Sequence, residues 1–325
     1  MLKTLVRTLA TVALSVCATA AIAQSSPYPN KPVKIIVPYP PGGITDIAGR
    51  AVAQHLSETL GQRFIVENRA GAGGTIGAEA AARSAADGYT LFIGTSATNG
   101  TNPSTFAKLP YSPAKDFSPV ALIASAPLLV VVNPALPVKS LADLVAYMKT
   151  NPNKVSYAST GNGGSVHLTV ELFKLMTGTQ MVHIPYKGSA PGLADLAGGH
   201  IQVMFDNMPS AFPQVQAGRL KALAVTSSQR SSLAPDLPTV AEAGVPGFSS
   251  ASWVALYAPA GTPADIITRL SAVVNQGLKN RALQENFRKL GLDVNGGTPE
   301  DLARHQKAEI EKWATVVKNI GLVPE

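Results

Sequence analysis

Three times along this chain a short apolar run breaks into a glycine-rich turn that opens directly into a helical segment. The turns are Pro38-Tyr39-Pro40-Pro41-Gly42-Gly43-Ile44-Thr45-Asp46, Arg69-Ala70-Gly71-Ala72-Gly73-Gly74-Thr75 and Ser159-Thr160-Gly161-Asn162-Gly163-Gly164-Ser165. A unit of strand, turn and helix buries its apolar faces by laying the helix on the sheet. Repetition of the unit gives an α/β protein with largely parallel strands.

The other periodicities fill in the order. Val33 to Val37 reads as a strand, Asp46 to Leu60 as a helix closed by Gly61, and Phe64 to Glu67 as the next strand. A helix over Thr75 to Ala85 and a strand over Tyr89 to Ile93 follow. Val120 to Val132 is nearly all apolar and is expected to carry the chain into a second domain. There the alternation repeats, with helices over Leu141 to Lys149, Val166 to Met176 and around Leu193. Strands are expected over Val155 to Ala158, Met181 to Ile184, Ile201 to Phe205 and Leu220 to Val225. The Pro-, Gly- and Ala-rich stretch from Ser231 to Gly247 reads as a connecting excursion, and Ser252 to Tyr257 as a returning strand. The end is helical over Pro263 to Leu278, Ala282 to Leu290 and Pro299 to Asn319. Thr262 and Thr298 are placed as N-caps before proline, and Gly291 and Gly321 sit just past helix ends. These terminal helices are expected to pack on the first domain, which gives two lobes joined by two crossings. The lobes are residues 24-124 plus 247-325, and residues 125-246.

The first residues bear on the compartment. Lys3 and Arg7 precede an apolar stretch, Leu9 to Ala20, too short to span a bilayer comfortably, and Ala21-Ile22-Ala23 supplies a small-x-small cleavage site. A signal peptide over residues 1-23, cleaved before Gln24, is therefore expected. Two other readings are an N-terminal anchor, which lacks a charged stop-transfer segment, and lipidation at Cys17, where bulky Val16 disfavours the motif. Cys17 is the only cysteine, so the mature chain would hold no disulfide and no thiolate metal site. Beyond the leader no apolar run reaches the roughly 18 residues of a spanning helix. The formal net charge is +7, two charges of which belong to the leader. The charges are scattered and aromatics are only 6%, which argues against a nucleic-acid surface. A mild positive field suits a small anion instead.

Glycines in the three turns let the backbone expose N–H groups where a helix begins, and those amides and the helix dipole favour a carboxylate or phosphate. A compact turn explains any one of them equally well; two in one lobe and one in the other point to a shared anion site. The stretch Gly71 to Gly77 nearly matches a dinucleotide fingerprint, but Ile76 stands where the third glycine belongs. Thr95, Ser96 and Thr98 stand where an acidic residue would follow the next strand. No nucleophile elbow, no Gly-Lys dipeptide of a P-loop and no metal-ligand spacing among the five histidines is present, so no catalytic residue, cofactor or metal is assigned. His55 and His305 fall on helix faces, while His167 opens the helix after the third turn, where capping or packing is its expected role. Asp206 ends the apolar run Ile201 to Phe205, where ligands collect in open α/β sheets; it reads equally as a ligand contact or as a cap before Pro209.

The same segments resemble the solute-binding receptors of tripartite tricarboxylate transporters, the Bug family. The likeness runs through Tyr28-Pro29-Asn30-Lys31-Pro32, Val37 to Gly43, Thr45-Asp46, Glu67-Asn68-Arg69, Gly71 to Gly74 and Asp87-Gly88-Tyr89-Thr90-Leu91. It continues in His183-Ile184-Pro185-Tyr186-Lys187-Gly188, Pro238 to Gly244 and Glu311-Lys312-Trp313. The resemblance implies a type II periplasmic-binding-protein fold, with mixed, mainly parallel sheets flanked by helices and a ligand cleft between two lobes. It implies that Tyr39, Pro41, Gly42, Gly43, Thr45 and Asp46 face Thr160, Gly163, Gly164 and Ser165 across a ligand carboxylate, with ordered water helping. Ser96 and Thr98 then stand at the cleft edge and Asp206 at the ligand's distal end. Family ligands include di- and tricarboxylates, acidic amino acids and aromatic acids. Ile44 departs from the small polar residue expected there and removes a hydroxyl contact. The implied role is capture of a small carboxylate in the periplasm, without chemistry, for a membrane permease; the alternatives are a solute sensor acting without transport and an envelope enzyme. Nothing in the sequence points beyond a monomer.

Overall fold

The computed structural model describes residues 28–186 and 188–324, so the expected leader, its cleavage after Ala23 and Cys17 lie outside the described residues. In the first lobe β1 (Val33–Val37) lies between β2 (Phe64–Asn68) and β3 (Thr90–Thr95), parallel to both. β1 is apolar at four of five positions and buried at all four, as a central strand covered on both faces must be. Helix α1 (Ile44–Leu60) leaves the first glycine turn and ends at Gly61 in the left-handed conformation, its N–H returned to the Ser57 carbonyl. Helix α2 (Thr75–Ala82) leaves the second turn after a single 3-10 turn, Ala72–Gly74. Beyond β3 comes a π-helical turn, Ala97–Thr101, continuing into the one-turn helix α3 (Asn102–Thr105).

β4 (Phe117–Val132) is the spine of the molecule. Its first eleven residues pair antiparallel with β9 (Ala251–Pro259), which joins β3. After Pro127 the partners change. Leu128 to Val132 pair antiparallel with β7 (Val203–Asn207), and Leu129 to Val132 with β8 (Lys221–Val225). At the switch the Leu128 N–H donates to the Thr226 hydroxyl at 2.8 Å, and the Thr226 N–H returns to the Leu128 carbonyl at 2.9 Å. In the second lobe β5 (Ser156–Ser159) runs parallel to β6 (Val182–Pro185) and to β7. Helices α4 (Leu141–Thr150), α5 (Ser165–Thr177), α6 (Ser189–Ala197) and α7 (Met208–Gln216) flank these strands. Each lobe is thus parallel where strands feed helices and antiparallel where the crossing strands join. This is a two-lobed mixed α/β fold.

The chain ends in α8 (Ala264–Gly277), α9 (Arg281–Lys289), the two-residue strand β10 (Asp293–Val294) on β4, and α10 (Pro299–Asn319). α8 lies against α1 and β4. α10 does not stay with the first lobe as expected. Leu302 joins the aromatic cluster of Phe92, Phe117 and Tyr257, whereas Trp313, Val316 and Val317 enter the core of the second lobe with Phe173 and Phe205. An amphipathic stripe shows that a helix is covered but not by which lobe. Glu309 marks the changeover: its carboxylate accepts from the indole of Trp313 at 2.9 Å and from that of Trp253, in the first lobe's cluster, at 3.4 Å. Thr298 caps α10 as expected, in a reciprocal box with Asp301. Thr262 does not cap α8; its hydroxyl turns back to the Pro259 carbonyl and Pro263 takes the N-cap position.

Candidate functional site

The helices that follow the three glycine turns each begin on a glycine with no side-chain cap, Gly43 before α1, Gly74 before α2 and Gly164 before α5, as does α6 on Gly188. Three other helices are capped by side chains. α4 carries a reciprocal Ser140/Asp143 box, α9 has the Asn280 side chain across two amides, and α10 has the Thr298/Asp301 box. First-turn amides lack intrahelical acceptors and carry the positive end of the helix dipole. Left uncapped, such amides are the donors a helix start offers to an anion.

Side chains hold the first turn rigid. Asp46 is buried, and its carboxylate accepts from the Gly42 N–H at 3.0 Å, Arg50 Nε at 2.9 Å and Asn68 Nδ2 at 2.9 Å. Burial alone would raise its pKa, but the bonds from Arg50, Gly42 and Asn68 together hold it at about 2. Asn68 also donates to the Tyr39 carbonyl at 3.0 Å, tying the turn to β2. The Gly42 amide and the Asp46 carboxylate are therefore committed inside the protein, and the donors left over are those of the first turn of α1. The second turn is fixed at the Gly73 carbonyl by the Tyr39 hydroxyl at 3.4 Å and Asn102 Nδ2 at 3.3 Å. Burial raises the Tyr39 pKa, against a hydrogen bond with Thr95 that lowers it. Gly74 has φ +89°, and a methyl group there would stand 2.7 Å from Thr98 Cγ2, so only glycine fits.

The third turn rests on two histidines. His167 Nδ1 accepts from the Gly163 N–H at 3.0 Å, which requires the tautomer protonated at Nε2. His183 stacks on His167 with ring centres 4.1 Å apart, and its Nε2 lies 2.6 Å from Ser159 Oγ, which accepts from the Gly161 N–H at 3.2 Å. Burial, then the neighbouring His167, push the His183 pKa down to about 4, and burial lowers that of His167. The capping role expected of His167 is the one it has. It also commits the Gly163 amide inward, while the start of α5 itself has no side-chain cap.

Between the turns lies a cavity of about 290 Å³. Tyr39, Ser96, Gly163, Gly164 and Ser165 are on its wall together with Gly73. Pro41, Gly42 and Gly43 are exposed, Thr45 and Thr160 half-buried, and all five lie off that wall, as does buried Asp46. Thr98 is wholly buried beneath it, its hydroxyl accepting from the Thr95 N–H at 2.9 Å and donating to Asn99 Oδ1 at 2.8 Å, so it braces the π-helical turn. Asp206 is also fully buried, at the carboxyl end of β7; Oδ1 accepts from the Ser189 hydroxyl at 2.7 Å while Oδ2 has no protein partner. Burial raises its pKa against hydrogen bonds from Ser189 and the Asn207 backbone. The cavity also takes in Asn102, Phe106, Leu322 and Val323, which sequence reasoning missed. No periodicity marks Ala97 to Phe106, and nothing in the sequence folds the C-terminal residues back to the cleft.

Among the described residues no cluster of three or more His, Cys, Asp or Glu could hold a metal, and no helix is long and apolar enough to cross a membrane. A family model described as tripartite tricarboxylate transporter family receptor matches residues 48–322. Protein BugT of Bordetella pertussis is 42% identical over 308 residues, covering 94% of each chain. An R. palustris protein solved with adipate is 43% identical, with a TM-score of 0.74 over 92% of this chain and all of that one. MatC from Rhodopseudomonas palustris, solved with bound malate, is 34% identical, with a TM-score of 0.70 over 89% of this chain and all of that one.

Proposed function

Because the chain belongs to the receptor family of tripartite tricarboxylate transporters, we propose that it is a periplasmic solute-binding protein that captures a small carboxylate and performs no chemistry on it. The observation that carries this reading is that two glycine turns of opposite lobes, Gly73-Gly74 before α2 and Gly163-Gly164 before α5, meet at one cavity beside Tyr39 of the first turn, and neither helix start has a side-chain cap. A carboxylate received by the first-turn amides of α1 takes up donors that otherwise only water satisfies. Closure of the two lobes, with the C-terminal half of α10 on the second, adds the amides of α5 and excludes water. The ligand then selects the closed form through contacts that the open form lacks. Asp206, with one unpartnered oxygen, meets the far end of a ligand that carries a hydrogen-bond donor. Delivery is to the membrane subunits of a tripartite transporter. Adipate and malate, held by two relatives, are the ligand types to try first.

The test is a thermal-shift panel of mono-, di- and tricarboxylates, acidic amino acids and aromatic acids on residues 24–325. A ligand at 100 times its Kd adds about 2.7 kcal/mol, enough for a shift of several degrees. Stabilisation by one chemical class supports the receptor reading, and its selective loss in Asp206→Ala supports the distal contact. Folded, ligand-free protein that responds to no carboxylate would overturn it.

A further inference from the structure

The cavity has an apolar side made by segments remote in sequence. Phe106 follows the π-helical turn and α3, and its ring lies over the second glycine turn: a methyl group at Gly73 would stand 3.2 Å from Phe106 Cζ. On the facing side Leu322 covers the third turn, its Cδ2 lying 3.6 Å from where a methyl at Gly163 would be. The C-terminal residues arrive there through a defined motif. Gly321 has φ +65° after α10; its N–H returns to the Lys318 carbonyl at 3.3 Å and that of Leu322 to the Val317 carbonyl at 3.2 Å. This pair of bonds is a Schellman closure, and it turns the chain back over the cleft. Leu322 is half-buried against the second lobe's core, but Val323 keeps 81% of its surface exposed on the cavity wall, more than any other exposed large hydrophobic among the described residues. No Lys, Arg, Asp, Glu or His lines the cavity.

From this we infer that Phe106, Leu322 and Val323 form a selectivity wall, so that the carboxylate this receptor prefers carries an apolar body beside its anionic end. The inference rests on the carboxylate reading above. The amides of α1 and α5 hold the anion, and the wall gains affinity with each methylene the ligand lays against it. A methylene moved fully out of water is worth about fourfold in affinity. Selectivity across a chain-length series therefore belongs to the wall and not to the anion site.

The experiment compares acetate, butyrate and hexanoate with malonate and adipate by calorimetry, on wild type, Val323→Ser and Phe106→Ala. Val323 is exposed, so Val323→Ser is expected to melt with wild type, and Phe106→Ala is compared only after its unfolding curve shows a folded protein. Wild type is expected to bind more tightly as either series lengthens, by at least about tenfold from shortest to longest. The variants are expected to flatten that slope while keeping their affinity for the shortest acids within about threefold. Binding of the acids with no chain-length slope, or a slope untouched by both variants, overturns the wall and leaves the carboxylate reading standing. No binding of any of these acids or of the wider panel overturns the carboxylate reading itself, and the wall with it.

Discussion

Valine at Gly43 or Gly164 separates a ligand-binding role for these turns from a merely conformational one. Both glycines sit at helix N-caps in ordinary extended backbone, with φ −79° and −72°. A methyl group at Gly43 would find only the Pro40 carbonyl oxygen, 4.0 Å away, and one at Gly164 only the Gly161 oxygen at 3.7 Å and the Thr160 hydroxyl at 3.9 Å. Neither position needs glycine for its fold. The N-cap penalty of an apolar residue and the reduced entropy of the unfolded chain oppose each other, and each substitution should shift unfolding by no more than about 1 kcal/mol. Binding has no such compensation. A side chain at either N-cap stands where a carboxylate must approach, and losing one hydrogen bond to a charged group costs about 1.5–3 kcal/mol, or roughly 10- to 150-fold in Kd. Urea unfolding and calorimetry with whichever acid the panel selects measure both quantities. Unchanged affinity in both variants would refute the anion site. Gly74→Val is the contrasting control: at φ +89° and 2.7 Å from Thr98 it should lose stability directly, so its weakened binding would prove nothing.

Two further predictions concern the supports beneath the turns. Asp46→Ala removes a buried carboxylate held at about 2 against an ordinary 3.8, a difference of about 2 kcal/mol, less what water screens at exposed Arg50. Because the folded pKa is the lower one, this contribution is complete above about pH 4 and fades as pH falls toward 2. Urea titrations at pH 7 and pH 2.5 should therefore show a clear deficit of the variant at the first that shrinks to about a third at the second. A constant gap would place the carboxylate's worth elsewhere. For His183, with a folded pKa near 4 against 6.5, the neutral form is favoured by folding, so stability is complete above pH 6.5 and falls as pH drops toward 4, by at most about 3 kcal/mol. His183→Asn should flatten that slope between pH 6.5 and 4.5 when unfolding free energies are compared, and a slope left intact would assign the titration to other groups.

The α/β order was legible because β-branched runs and glycine punctuation repeat wherever a strand feeds a helix, and Val33 to Leu60 shows the pattern whole. The structure keeps those elements and moves their ends by a few residues: the helix expected to reach Ala85 stops at Ala82, and the strand expected to end at Ile93 runs on to Thr95. Three features were hidden, each for its own reason. The π-helical turn at Ala97 is built from Thr, Asn and Gly, whose side chains bond locally and leave no apolar period. α7 carries Pro209 and Pro213 in nine residues, so its sequence reads as a break, although Pro209 stands in the first turn where a proline costs nothing. β10 is two residues long and exists only because β4 offers it an edge.

For the site, the glycine turns could be found but not the division of labour within them. The family resemblance implied Asp46 and Gly163 as ligand contacts, whereas the hydrogen bonds commit the carboxylate of one and the amide of the other to the protein's interior. Which amide is free depends on where its neighbours' side chains point, and spacing does not carry that. One signal was nonetheless present in the chain. Ser140-Leu141-Ala142-Asp143 and Thr298-Pro299-Glu300-Asp301 spell reciprocal caps ahead of two helices, while Gly42-Gly43, Gly73-Gly74 and Gly163-Gly164 stand at the same place ahead of three others. On the proposed reading the bare starts of α2 and α5, at the cavity, are assigned to an acceptor that arrives from outside; a bare start alone does not carry it, because α6 also begins on a glycine, Gly188, with no side-chain cap.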